Sequence, residues 1–208
     1  MPADAHTPTA RLAGLRWPLP AVLAWALALL QDFDRCRVLA ALREGPWGVS
    51  GLNAAVEQAL ARRGWLDPRG EWYAGRPVMV TRNDPSLGLF NGDIGLVLRA
   101  PDGALKACFA DGERLHAVSV TRLAEVQTAF ALTVHKSQGS EFGHVLLVLP
   151  DEDSPVLTRE LLYTGITRAR NALSVVAPRP ALLAAAAARP TRRFSGLAQA
   201  LADPGRGA

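Results

Sequence analysis

No Gly-Lys pair occurs anywhere in the 208 residues. The chain therefore has no Gly-x-x-x-x-Gly-Lys-[Ser/Thr] loop to cradle the α- and β-phosphates of a nucleotide. A small phosphotransferase with its own complete site is excluded. Lysine is nearly missing altogether: Lys106 and Lys136 are the only two, and arginine supplies the other basic side chains. That bias, with the Ala-rich stretches, reads as GC-rich coding DNA, and composition does not account for Lys136. Cysteine is scarce. Cys36 and Cys108 stand far apart with no Cys-x-x-Cys or His-x-x-His spacing near them, so no zinc site is expected. Two core thiols in a reducing cytoplasm are expected instead. The apolar run from Pro20 to Leu30 is too short to span a bilayer. No basic segment precedes it as in a signal peptide, and no membrane partner is expected.

What is present suffices for a packed core. Hydrophobic residues make up 49% and charged residues 20%, within the range of globular domains. The length leaves room for one full domain and a small one. A net charge of +4 favours a nucleic-acid partner, but only weakly.

Residues 1–20 carry four prolines and read as an irregular lead-in. Val22, Trp25, Leu29 and Phe33 recur at helical spacing, predicting a helix over 21–34 with these side chains on its buried face. Arg37–Leu42 reads as a short buried strand and Arg43–Gly48 as a Gly-Pro loop. Leu52–Arg63 reads as a helix with Ser50 as its cap. Arg76–Arg82 is the next strand. Ile94–Ala100, Leu105–Ala110 and Leu115–Val120 are separated by Pro-Asp-Gly and Asp-Gly turns, a hairpin signature. They predict a small antiparallel barrel inserted in a larger α/β unit. That unit resumes with strands at Ala129–His135, Val145–Leu149 and Leu173–Ala177 and a helix at Thr158–Ala169. Continuous apolar strands around a helix predict a parallel sheet with covered faces. A plain helix follows at Ala181–Arg189, and a disordered tail is expected over 202–208.

Two segments could carry chemistry. Thr133-Val-His-Lys-Ser-Gln-Gly-Ser-Glu141 directly follows a predicted strand. Parallel sheets bind ligands at the carboxyl ends of their strands. Hydroxyls, an imidazole, an ammonium and a Gly amide are donors suited to phosphate oxygens. The plainer reading is a solvated loop capped by Ser137 and Ser140. In Leu161-Leu-Tyr-Thr-Gly-Ile-Thr-Arg-Ala-Arg170, the residues Tyr163, Thr164, Thr167, Arg168 and Arg170 fall on or at the end of one helix. Arg168 and Arg170 do not share a helical face, so one can enter a cleft while the other is solvated. An Arg aimed at a terminal phosphate stabilises the charge that builds up in phosphoryl transfer. The plainer alternative is that both favour the C-terminal end of the helix dipole.

Phe130–Phe142 and Leu161–Arg170, in this order, resemble motifs V and VI of superfamily 1 DNA helicases. Ala41–Asn53 and Gly75–Gly95 are similar to the RecD family, the alpha subunits of exodeoxyribonuclease V, and the likeness runs from about Asp34 to Leu201. It implies that 35–87 and 126–201 form a second RecA-like motor domain and that 88–125 is an inserted SH3-like β-barrel. Residues 1–34 and 202–208 would flank it. The resemblance makes Arg168 the catalytic residue, reaching the γ-phosphate of ATP with Mg2+ held mainly by an N-terminal motor half. It assigns Gly139, Glu141 and Arg43 to the nucleotide as well, the carboxylate of Glu141 accepting from the ribose. Thr133, His135, Lys136 and Ser137 are implied to meet single-stranded DNA. The implied partners are that DNA, the N-terminal motor half, and RecB and RecC subunits.

The first reading is thus the C-terminal half of an ATP-dependent helicase subunit, inactive alone for want of a phosphate loop. The second is a stand-alone DNA-binding or partner-docking module without ATPase activity. Arg168 favours the first, because it is useful only opposite a bound nucleotide. Trp25, Trp65 and Trp72 are expected to cover apolar surface rather than stack bases. Asp151-Glu-Asp153 is expected to be an exposed turn rather than a metal site.

Overall fold

The computed structural model describes residues 20–100 and 102–191. The expected lead-in over 1–20 lies outside the described residues except for Pro20, which opens a helix, and the expected tail over 202–208 lies wholly outside them. Helix α1 (Pro20–Asp34) leads into strand β1 (Cys36–Ala40) and helix α2 (Val49–Arg62). Strands β2 (Pro77–Val80), β3 (Ile94–Arg99), β4 (Leu105–Asp111), β5 (Arg114–Ser119) and β6 (Val126–Thr128) follow. Then come β7 (Ala131–Thr133), β8 (Phe142–Val148), α3 (Arg159–Ile166), β9 (Ala169–Val176) and α4 (Pro180–Ala188).

The expected α/β architecture is present. Strands β7, β1, β8 and β9 form a parallel sheet in that order. Its core joins Leu39, Leu132, Val145 and Leu147 to Leu161 and Leu162 of α3 and Ala186 of α4. Helices therefore cover the face that β8 and β1 bury, as near-continuous apolar strands require.

The hairpin strands form a second sheet, antiparallel, in the order β5-β4-β3-β2-β6. It takes in β2 and β6, which flank the predicted insertion. Strand β3 is buried on both faces. Val97 enters one cluster with Val78, Ala107 and Phe109, whereas Leu96 and Leu98 enter another with Ala26 and Leu30 of α1. That period-2 division follows from the pleat.

Four local expectations are corrected. The segment read as one strand over 129–135 is two, because the chain changes partner. Ala129 still donates its N–H to Pro77 O at 2.9 Å, whereas Ala131 is in register with Val38 of β1. Helix α2 starts at Val49, and Gly48, not Ser50, is its cap. A Cβ at Gly48 would stand 2.2 Å from Glu44 O, so the loop passes too close there for a side chain. The fully buried stripe of α1 is Ala26 and Leu30, while Trp25 and Leu29 are only partly covered. Cys108 is buried and its thiol is pushed up to about 12 by desolvation, but Cys36 is exposed at the start of β1.

Candidate functional site

The register of the parallel sheet positions everything that follows. Ala40, Thr133 and Val148 lie level at its carboxyl edge, and Phe142 and Ala169 lie level at its amino edge. The segment from Thr133 to Glu141 must run from one edge to the other, a distance of about 20 Å by strand rise. Its two ends therefore serve different places.

At the carboxyl edge, β7 turns into a single 3-10 turn over His135–Ser137. Thr133 Oγ1 accepts from Lys136 N at 3.2 Å, and Lys136 Nζ donates to Gln127 Oε1 at 3.1 Å. His135 is exposed and Lys136 half-buried. Ser137, expected among the DNA contacts, is corrected to an interior residue: it is 1% exposed and its hydroxyl donates to Val134 O at 2.7 Å. It closes the turn and is not presented to a ligand.

Two hollows meet at Lys136. One, of about 310 Å3, is lined by Arg43, Ser50, Asn53, Gln127, Thr133 and Lys136. The other, of about 530 Å3, is lined by Asn91, Gly92, His135, Lys136, Gln138 and Gly139. Lys136 is held below the ordinary lysine value, by burial first and by the charge of Arg43 second. Arg43 itself is exposed, in the loop between β1 and α2.

At the amino edge the second segment arrives. Thr158 caps α3, its hydroxyl accepting from Leu161 N at 3.3 Å. The helix ends at Ile166, three residues before the expected end, because Ala169 already pairs with Phe142 of β8. Gly165 allows the helix to lie against the sheet: a Cβ there would stand 3.0 Å from Leu147 Cδ1. Arg168 follows the helix and is half-buried. Its guanidinium donates to Thr164 O at 3.2 Å, Ser140 O at 3.0 Å and Thr167 Oγ1 at 3.2 Å. It ties the helix end to the last part of the 133–141 segment. Three of its five N–H groups are used, and two remain for a ligand oxygen. Arg170 pairs with Glu141 at 3.0 Å. Gly139, with φ +86°, makes a left-handed turn that a side chain would strain.

The structure thus brings Glu141, Arg168 and Arg170 together at one edge, and Thr133, His135, Lys136 and Arg43 at the other, while Gly139 lies along the segment between them and lines the hollow at Lys136. Arg43 is not beside Arg168. The amino-edge group presents a guanidinium with free N–H groups and a carboxylate paired with Arg170, and no phosphate loop exists in the chain. Among the described residues no three His, Cys, Asp or Glu side chains gather to hold a metal ion.

Two residues missed in the sequence reading hold this frame. Asn53 of α2 spans the bend between β6 and β7. It accepts from Ala131 N at 2.9 Å and donates to Thr128 O at 3.0 Å. Arg37 is fully buried, with Phe33 and Phe142 rings 4.1 and 5.0 Å from its guanidinium carbon. Sequence held no signal for Arg37, since an Arg in a short apolar strand reads as its solvated edge. Asn53 fell within a stretch similar to the helicases but carried no chemistry by type. No described helix is long and apolar enough to cross a membrane.

Both segments lie within a stretch of the chain that is similar to helicase sequences. The family model described as the UvrD-like helicase C-terminal domain matches residues 128–176. The chain is 42% identical over 193 residues to the RecBCD enzyme subunit RecD of Mycobacterium tuberculosis, covering 93% of this chain and 33% of that protein. It is 41% identical over 138 residues to the ATP-dependent RecD2 DNA helicase of Deinococcus radiodurans, covering 65% of this chain and 19% of that protein. A crystal structure of Pif1 helicase from Bacteroides in complex with ADP-AlF3 and ssDNA aligns at TM-score 0.48 and 17% identity, over 87% of this chain and 50% of that one. The resemblance read from the motifs holds: the chain matches the C-terminal portion of RecD-type helicase subunits. It spans 33% of the length of the first of these relatives.

Proposed function

We propose that this chain is the second motor half of an ATP-dependent DNA helicase of the RecBCD type, acting in DNA unwinding and recombinational repair in the cytoplasm. In this reading 35–87 and 126–201 form the motor domain and 88–125 an SH3-like insertion whose sheet recruits β2 and β6. The observation that carries it is the 133–141 segment, which joins a polar groove at one edge of the sheet to Arg168 at the other. A strand held at Thr133, His135 and Lys136 is thereby connected by one short stretch to the nucleotide flank at Gly139, Glu141 and Arg168. Arg168, anchored on three oxygens, offers its remaining N–H groups to the γ-phosphate as negative charge develops. ATP with Mg2+ is bound mainly by an N-terminal motor half, which supplies the phosphate loop. RecB and RecC are the further partners.

The test is reconstitution. The 208-residue chain alone is expected to bind single-stranded DNA and to hydrolyse no ATP. Mixing it with the N-terminal portion of a RecD relative should restore DNA-stimulated hydrolysis. Arg168→Ala should then lower kcat by about a thousandfold or more. ATP turnover by the unmixed chain that Arg168→Ala abolishes would overturn the reading. So would a reconstituted activity indifferent to that substitution.

A further inference from the structure

We propose that Arg43 and Lys136 grip one backbone phosphate of a bound single strand together, so that Arg43 serves nucleic acid and not the nucleotide. The proposal rests on the functional reading above and deepens its DNA side. The family likeness groups Arg43 with ATP, but the sheet separates them. Arg43 follows β1 at the carboxyl edge, whereas Glu141 and Arg168 precede β8 and β9 at the amino edge. Arg43 instead lines the same cleft as Lys136 and Thr133.

Charge points the same way. The two cations are near enough for Arg43 to disfavour the charged form of Lys136. Among the described residues neither forms an ion pair with a carboxylate, although Glu44 also lines the cleft. Two like charges in one cleft repel unless an anion lies between them. The donors for an anion are present. Lys136 Nζ gives one N–H to Gln127 and keeps two, and the Arg43 fork has five. Asn53 is excluded as a ligand, because its amide is spent on Ala131 and Thr128. Lys136 also lines the groove that carries His135 and Asn91, so it faces both hollows. The shared chemistry is a phosphate oxygen, available from a DNA backbone or from a nucleotide.

The probe is a fluorescein-labelled oligodeoxythymidine, titrated with the 208-residue chain over a series of salt concentrations. Each phosphate neutralised on a single strand contributes about 0.7 to the slope of log affinity against log salt. Arg43→Ala and Lys136→Ala should each weaken binding about threefold to tenfold with little change in slope, since one cation still holds the phosphate. The double variant should flatten the slope by about 0.7, the value for one phosphate. Flattening by about 0.7 in each single variant and about 1.4 in the double means two separate phosphates and overturns the shared grip. Lys136→Gln replaces Lys136→Ala if the latter does not fold by circular dichroism. Arg35→Ala, at the far edge and exposed, is the control for loss of charge alone. Equal weakening by Arg35→Ala overturns the proposal. Displacement of the oligonucleotide by ATP from the unmodified chain, absent in Arg43→Ala, assigns Arg43 to the nucleotide and also overturns it. Oligonucleotide binding that Arg43→Ala leaves intact sinks this proposal alone. Absence of any binding by the unmodified chain sinks the proposed function with it.

Discussion

Replacing Asn53 by Ala would test how the two sheets are joined. The Asn53 side chain stands in for a neighbouring strand at the bend between β6 and β7. It accepts from Ala131 N at 2.9 Å and donates to Thr128 O at 3.0 Å, with a longer contact of 3.5 Å to Ala131 O. Ala131 is fully buried, so its N–H would find no water once the amide is gone. Two well-formed hydrogen bonds contribute about 1 kcal/mol each, and the orphaned buried donor costs about 1–2 kcal/mol more. The sum is about 3–4 kcal/mol. For a protein of this size that lowers Tm by roughly 6–16 °C. Asn53→Asp keeps the acceptor for Ala131 N but sets a carboxylate against the Thr128 carbonyl, so it should lose a similar amount. Thermal unfolding followed by circular dichroism reads both variants, with urea midpoints as a second measure. A fall of under about 2 °C in both would refute the reasoning, because it would mean that the bend is held by strand pairing alone.

Three further outcomes follow from the same geometry. Arg37 is buried between two rings with Nε unpartnered, while its ion-pair partner Asp34 is mostly exposed. Arg37→Met should therefore stay within about 1.5 kcal/mol of the parent or gain stability, since no buried charge is left behind, whereas Arg37→Ala should cost about 2–5 kcal/mol for the cavity; denaturant titration that ranks them in reverse would refute this. Gly165→Val places methyl groups where Leu147 and Val134 already sit, at 3.0 and 3.5 Å from the Cβ position. It should cost about 1–3 kcal/mol in urea unfolding, and a neutral result would mean that α3 moves freely over the sheet. Lys136 is depressed from 10.5 by burial and by Arg43. Its folded value lies below its unfolded one, so between the two the unfolded chain binds more protons and stability rises with pH. Oligonucleotide affinity should do the opposite, falling as pH climbs through the depressed value, and Lys136→Arg should hold its affinity across that range. Parallel titration curves for parent and Lys136→Arg would count against it.

Local signals in the chain carried much of the fold. Asp-Gly turns set the hairpins of β3 to β5, because glycine reaches the left-handed turn conformation that other residues avoid: Gly103 and Gly112 have φ of +84° and +59°. Thr158 announced α3, and its hydroxyl caps that helix. The order of polar residues in 133–141 and the Arg168 that follows α3 were legible as chemistry because side-chain type alone limits what can bind phosphate. What lay beyond reach depends on partners far away in the chain. The run 129–132 is apolar throughout, and nothing local says that Ala129 pairs with Pro77 while Ala131 pairs beside Val38. Arg37 is buried only because Phe33 and Phe142 close over it. The separation of Arg43 from Arg168 is of the same kind. Sequence determined that both arginines exist, one just after a strand and the other at the end of a helix. Only the parallel pairing of β1, β8 and β9 decided that one stands at the carboxyl edge and the other at the amino edge, because a strand's direction in a sheet is set by its neighbours and not by its own residues.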